Sequence, residues 1–502
     1  MKITALSRSL DNHLPGRSGD ATPVSRNLDP ALHPFSKPRE YTRALNAAKV
    51  DRMFAKPFVA SLEGHVDGVY SLAKDPERLG VIASGSGDGE IKLWNLPSQS
   101  CLHTYTKAHK GIIQSLSMSP SSTSSQTFGR HLLSCSTDRT VKMWNADPHP
   151  DHTGWAGDAA NSDDDEDDDE GADATAAGQA KRGGLLSYQV AEKKAIQPLA
   201  LYAGKAAFNS VSHHYGKQQF ASASSVIQIW DLNRSGSSGT GQEALNTITW
   251  GSETINVVKF NASERDVLAS AGSDRSVVLY DLRAAKPLTK LFMTMRANDI
   301  SWSPIEPTVF ALASEDHNVY TFDMRNMASA TQIYKDHVAA VMSVDWAPTG
   351  QELVSASYDR TLRLWEYGRG AHSRDVYHTK RMQRIFSAAY SLDARYVLSG
   401  SDDGNVRIWK ARASEKIGIL SGREMAAKEY RESLQKKWSH TGDVKRVSSS
   451  RNVPKPIKAA QQLKRTMLEA ERVKEERRRK HTKTGNAKPK AARKAAVLAQ
   501  KE

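Results

Sequence analysis

Three stretches of the chain combine a histidine, a serine, an aspartate and a tryptophan: His65, Ser84, Asp88 and Trp94; His109, Ser134, Asp138 and Trp144; His337, Ser355, Asp359 and Trp365. Serine, histidine and aspartate are the parts of a hydrolytic triad, in which the imidazole takes the hydroxyl proton and the carboxylate orients the ring. Repetition argues against that chemistry. A nucleophile is needed once, whereas a polar set that returns at a regular interval belongs to a repeated structural unit. Other chemical signatures fail too. Gly85-Ser86-Gly87-Asp88-Gly89 is followed by a strand pattern, not a helix, so it is no dinucleotide loop. No phosphate-binding loop and no His-Glu-x-x-His pair occurs. The two cysteines, Cys101 and Cys135, can build neither a disulfide framework nor a four-thiolate zinc site. The sequence therefore reads as non-enzymatic, without metal or cofactor, and suited to a reducing intracellular compartment.

The elements that must hold these residues recur along the chain. Five segments, 84–94, 134–144, 270–280, 355–365 and 399–409, each place a Ser ten residues and an Asp six residues before an aromatic. Weaker copies end at Trp230, where Ser224 replaces the Asp, and at Phe322, where Asp316 is kept and Leu312 replaces the Ser. The last four aromatics, Tyr280, Phe322, Trp365 and Trp409, are 42, 43 and 44 residues apart. Alternating stretches such as Ile91-Lys92-Leu93-Trp94 are strands, and the Gly, Asp, Asn and Ser ahead of them are turn residues. This repeat resembles the WD-repeat (WD40) family over about residues 58–410. The resemblance implies an all-β fold, a seven-bladed β-propeller, in which each His, Ser, Asp and Trp form a hydrogen-bonded tetrad. His378 with Ser399, Asp403 and Trp409 is a looser fourth set. No upstream His precedes Asp274 or Asp316, so those blades are expected to be less regular.

A propeller must join its last blade to its first. Pro57–Leu62 and Lys416–Leu420 are the two segments able to do so, and the first is favoured because it clasps both chain ends. The organisation is then an N-terminal extension with a short helix (1–57), a propeller (58–410) and a basic helical C-terminal domain (411–502) whose end is disordered. Ser36 is the expected N-cap of the first helix, with Tyr41, Leu45 and Ala48 on one face. Ala426, Tyr430, Leu434 and Trp438 mark a second helix, and Ala460, Leu463, Met467 and Ala470 a third, over about 457–480.

Charge is divided unevenly. The chain carries +14 overall, yet residues 411–502 hold 26 basic against 10 acidic residues. Asp163–Glu170 is an unbroken acidic block inside an insertion at about 147–184, placed between the second and third blades and expected to be disordered. Ser162 beside it resembles an acidophilic-kinase site. The tail cations Arg477, Arg478, Arg479, Lys480, Lys488, Lys490, Arg493 and Lys494 suit phosphate contact with RNA, which is strong at low salt and blind to sequence. They also resemble a nuclear or nucleolar address. No run approaches the apolar length of a membrane span, and the start of the chain has too short an apolar stretch for a signal peptide.

The flanks narrow the family. Arg26–Phe35, Glu40–Asn46, Arg52–Phe58, Arg451–Ile457 and Glu475–His481 are similar to the suppressor-of-fibrillarin family of WD-repeat proteins. That resemblance implies a non-catalytic nucleolar scaffold of the U3 small nucleolar ribonucleoprotein and the small-subunit processome, which serves pre-rRNA processing and 18S rRNA maturation. Its partners would be processome proteins, with pre-rRNA or snoRNA on the tail. A second reading comes from Tyr280-Asp281-Leu282-Arg283 and Phe322-Asp323-Met324-Arg325. They resemble the Trp-Asp-x-Arg motif by which propellers dock on the adaptor of cullin-RING ubiquitin ligases, with Tyr and Phe in place of Trp.

Overall fold

The computed structural model describes residues 35–119, 130–146, 197–233, 243–249, 254–284, 287–483, 488–489 and 491–501. The acidic block, Ser162 and Lys490 lie outside them. The strands form seven sheets, six of four strands and one of five. The blades span 69–105, 113–203, 210–248, 255–293, 297–334, 341–377 and, for the seventh, 385–410 with 58–62. Strand Phe58–Leu62 pairs antiparallel with Val406–Lys410 and supplies the outer strand of the last blade. The N-terminal segment therefore closes the ring, and Lys416–Leu420 forms no strand.

Burial follows from blade stacking. A second strand such as His131–Ser136 or Val309–Ser314 is covered on both faces by the neighbouring blades and is buried at every residue. An outer strand such as Ser100–Tyr105 is exposed along its first half. The core lies between blades: Leu93 and Tyr105 of blade 1 pack with Leu116 and Trp144 of blade 2 in one cluster. Antiparallel alternation fixes two faces. The turns between second and third strands share a face with the links between blades, which carry the tetrad histidines. This is called the turn face here. The opposite face receives the ends of the third strands.

Blades 4 and 5 are as complete as the others, with four paired strands each, although they lack the tetrad histidine. Strand pairing and inter-blade packing suffice for regularity. The acidic insertion is also corrected in place. It leaves after Thr140–Asn145 and returns before Ala200–Ala203, the third and fourth strands of blade 2, so it interrupts that blade and does not separate blades 2 and 3.

The two termini meet. Helix α1 (Ser36–Met53) begins at Ser36 itself, with Phe35 as an N-cap that makes no side-chain bond. Helix α2 (Gly422–Lys437) is closed by a capping box between Ser421 and Glu424. Helix α3 (Gly442–Ser448) follows. Ala44 and Ala48 of α1 pack on Leu434 and Val444, with Tyr41, Leu45, Trp438 and Val447 around them. Helix α4 (Lys455–Lys480) has no buried residue, and its expected apolar face is exposed at Leu463 and Met467.

The end of the chain departs from the expected disorder. A short helix α5 (Ala492–Ala495) precedes strand Val497–Lys501, which adds a fifth strand to the outer edge of blade 4. It pairs Leu291 with Gln500 and Phe292 with Ala499. Ala496 enters the core cluster shared by blades 4 and 5. A buried alanine and an unpaired sheet edge order a segment too short to show periodicity.

Candidate interaction surfaces

Two of the three expected tetrads close in full, and the third, in blade 1, lacks its His–Asp bond. In blade 2, His109 bonds Ser134 Oγ through Nε2 (2.7 Å) and Asp138 Oδ2 through Nδ1 (2.9 Å), while Trp144 Nε1 donates to the same Ser134 Oγ (2.8 Å). Blade 6 repeats this with His337, Ser355, Asp359 and Trp365, at 2.7, 2.9 and 2.8 Å. In blade 1, His65 and Trp94 both bond Ser84 Oγ at 2.7 Å, but Asp88 turns to the backbone N–H of Val66. Ser84, Ser134 and Ser355 are wholly buried and already accept a tryptophan N–H, so none reaches a substrate. Burial lowers the pKa of His109 and His337, and takes that of His65 to about 4. The set ties the turn to the strands through buried hydroxyls that the tryptophans already engage. His65, Asp88 and Glu90 also lie close enough together to suggest cation ligands, and the Lys92 ammonium pairs with Glu90 at 3.5 Å.

His378 does not complete a fourth set. It lies beside the backbone of Asn452, while Arg407 holds Asp403 in bidentate fashion and Trp409 still donates to Ser399 (2.8 Å). The blades lacking a histidine use other groups in the same way. Lys290 Nζ reaches Asp274 at 3.1 Å, and Tyr320 Oη donates to Asp316. These substitutes were not apparent from the repeat, because they sit on the third and fourth strands instead of upstream of the turn. In blade 3, Trp230 donates to Ser222 (2.8 Å), eight residues ahead of it.

Arg283 and Arg325 occupy equivalent positions on adjacent blades, on the face opposite the turns. Each is clamped by its own aspartate, with Arg283 Nη2 to Asp281 Oδ2 and Arg325 Nη2 to Asp323 Oδ2 both 2.9 Å. Their side chains nonetheless remain 68% and 72% exposed. The Arg283 hydrogen bond, against slight burial, holds Asp281 below the usual carboxylate range; burial opposes the same effect of Arg325 on Asp323. The result is a pair of oriented, outward guanidinium groups on neighbouring blades.

The tail leaves the ring from the turn face. Gln461 Nε2 donates to the Asp336 carbonyl (3.1 Å) and Lys464 Nζ to the His337 carbonyl (3.0 Å), which seats the first half of α4 on the link into blade 6. The second half carries Arg477, Arg478, Arg479 and Lys480 into solvent, with Arg479 and Lys480 near Glu475 and Glu476 at 3.5 and 3.4 Å. Lys488 is exposed. Arg493 and Lys494 lie in α5, where the Arg493 carbonyl accepts from the Ala330 N–H of blade 5 (3.1 Å). Among the described residues, the tail cations thus fall into an α4 group and an α5 group, with Lys488 between them.

A model of the WD domain, G-beta repeat, matches residues 56–95, 99–145, 329–366 and 375–410, the segments ending in or just after the four tetrad-type tryptophans, and the Sof1-like domain matches 411–497. The chain belongs to the Sof1 family of WD-repeat proteins. It is 40% identical over 478 residues to Protein SOF1 of Saccharomyces cerevisiae, covering 93% of this chain and 89% of that one. It is 40% identical over 486 residues to DDB1- and CUL4-associated factor 13 of Homo sapiens, covering 97% and 96%, and over 499 residues to the protein of that name in Xenopus tropicalis, covering 99% of each. Family membership agrees with the suppressor-of-fibrillarin resemblance of the flanks. Among the described residues, no helix is long and apolar enough to cross a membrane.

Proposed function

We propose that this protein is a non-catalytic scaffold of the U3 small nucleolar ribonucleoprotein and small-subunit processome, acting in the nucleolus on pre-rRNA processing and 18S rRNA maturation. The observation that carries the reading is the C-terminal domain. It matches the Sof1-like domain, and it projects a helix of ten basic and four acidic residues from the turn face. An excess of cations on a helix attracts phosphate and releases counterions, while the ring offers wide, rigid surface to processome proteins. The test reverses Arg477, Arg478, Arg479 and Lys480 to glutamate in the full chain. Accumulation of uncleaved 18S precursor with normal protein level is expected. An unchanged pre-rRNA profile with the protein still nucleolar would end the reading.

A second reading is a substrate receptor on the adaptor of a cullin-RING ubiquitin ligase. It is favoured by the printed name of several relatives and by the matched outward pair Arg283 and Arg325. Arg283→Glu with Arg325→Glu is expected to abolish co-purification of the adaptor. Retained co-purification would remove this reading and leave the scaffold reading untouched.

A further inference from the structure

The innermost strand of six blades carries a bulge at its second residue. Register slips between Val69 and Ser71, and again between Ile385 and Ser387, with the same break in blades 2, 4, 5 and 6. A bulge leaves its extra residue out of the ladder and re-aims the side chain. The extra residues are Tyr70, Gln114, Asn256, Asn298, Met342 and Phe386, and all line a central channel of about 540 Å³. Asn256 and Asn298 spend their amides on the backbone of the next blade, at 3.2 and 2.9 Å. The residues from blades 1 and 7 are aromatic. Tyr70 and Phe386 stack with centroids 4.4 Å apart and planes inclined by 20°. Tyr358, in the turn of blade 6, meets Phe386 edge-on at 5.8 Å and is 38% exposed. The Arg384 guanidinium lies over the Tyr358 ring at 5.6 Å.

This cluster opens on the turn face, the face from which α4 departs. Arg360 follows Tyr358 by two residues, exposed and with φ of 63°. An L side chain costs free energy in that left-handed conformation, yet the equivalent turn position also holds Arg139 (φ 65°) and Arg275 (φ 64°). Cations thus stand at the turn tips of blades 2, 4 and 6. Asp67 and Asp402 are the acids of the cluster; after burial, they and Tyr358 raise the pKa of Tyr70.

We propose that this mouth of the channel is a nucleobase site for single-stranded RNA, in which a base stacks on Tyr358, with the edge-on Phe386 ring beside it, while Arg384 and Arg360 take the flanking phosphates. Every base offers a π-face to an aromatic platform. Arg384 already covers the ring face that a base would take, so it exchanges one cation–π contact for a phosphate when RNA enters. Asp67 and Asp402 accept hydrogen bonds and repel phosphate, so they favour a base whose edge donates two N–H groups, as guanine does. The proposal extends RNA contact from the tail to the ring, and rests on the scaffold reading only for the identity of the partner.

The test uses the full-length protein and a short guanine-containing RNA, against the same RNA with abasic positions. Wild-type protein is expected to bind the base-bearing RNA about ten-fold more tightly. Tyr358→Leu, which keeps an apolar contact with Phe386, removes that difference; Tyr358→Phe keeps it. Reversing the α4 cations weakens both RNAs alike. Equal binding of the two RNAs by wild-type protein overturns the proposal, as does an unaltered preference in Tyr358→Leu. Binding of an arginine-rich peptide at Tyr358 that excess RNA fails to displace overturns it in favour of a protein partner. Any of these failures leaves the pre-rRNA test of the tail unaffected.

Discussion

Tyr41 and Asp443, 402 residues apart in the chain, share a hydrogen bond of 2.7 Å in which the phenol donates to Oδ2. Tyr41 also meets Trp438 edge-on, with ring centroids 5.6 Å apart. Neither terminal helix can bury its stripe alone. α1 offers only alanines to its core, and α2 contributes one fully covered leucine. Together they make a small body braced on blade 6, where Arg52 Nη1 reaches Asp375 Oδ1 at 2.9 Å. The clasp of the termini is therefore double, once by the closing strand and once by helices.

Leu434 is the residue on which that helical body turns. Leu434→Ala removes the transfer free energy of its side chain and leaves a cavity, a loss of roughly 2–5 kcal/mol. The low end is expected, since a cluster of four buried residues collapses easily. Hydrogen exchange should speed up throughout α1 and α3, while the propeller melts as before. Unchanged protection of α1 would show that the helices are held by the ring and not by one another.

The tetrads make stability fall with acid. An unfolded His65 titrates near 6.5, and burial takes the folded group to about 4, against the opposing pull of Asp88 and aided by Lys92. A depressed histidine favours the fold where the imidazole is neutral, so its contribution is intact above pH 6.5 and shrinks as pH falls toward 4. The loss from His65 alone reaches about 2 kcal/mol by pH 5. His109 and His337 shift in the same direction. Chemical denaturation at pH 7 and pH 5 checks this, and His65→Asn should flatten the slope. His109 and His337 leave a residual slope in that variant, so a slope that the substitution does not reduce would assign the acid sensitivity elsewhere.

Much of the ring was legible because it repeats. Spacing of Asp88, Asp138, Asp274, Asp359 and Asp403 before their aromatics located five blades, and the same offset found two more at Trp230 and Phe322. Closure was legible from the apolar run at Phe58–Leu62. What was hidden depends on contacts between distant parts of the chain. Nothing local shows that Leu434 will find Ala44, or that Val497–Lys501 will find the edge of blade 4. The aromatic mouth was hidden for another reason: Tyr70 and Phe386 look like ordinary strand residues until the bulge removes them from the alternation.

Asp336 is the point at which the tail and the ring share one charge. Its carboxylate accepts from Ser373 N and Oγ and from His372 Nδ1, each at 2.8 Å, and from Arg451 Nη1 of the C-terminal domain at 3.3 Å. Arg363, 1% exposed, lies 3.5 Å away. Burial opposes ionisation, but His372, Ser373 and Arg363 keep Asp336 below its ordinary pKa. Asp336→Asn preserves shape and removes the charge. Breaking a buried ion pair on one side costs about 3–5 kcal/mol, and Asp359, which also acts on Arg363, brings the expectation to the lower value. The melting temperature should fall, and exchange should rise in the first turns of α4, whose Gln461 and Lys464 hold the adjacent carbonyls. Arg363→Met in the same chain should restore much of the stability, because no buried cation is then left unpaired, without restoring the protection of α4. Recovery of both together would mean that Arg451 contributes nothing to seating the tail.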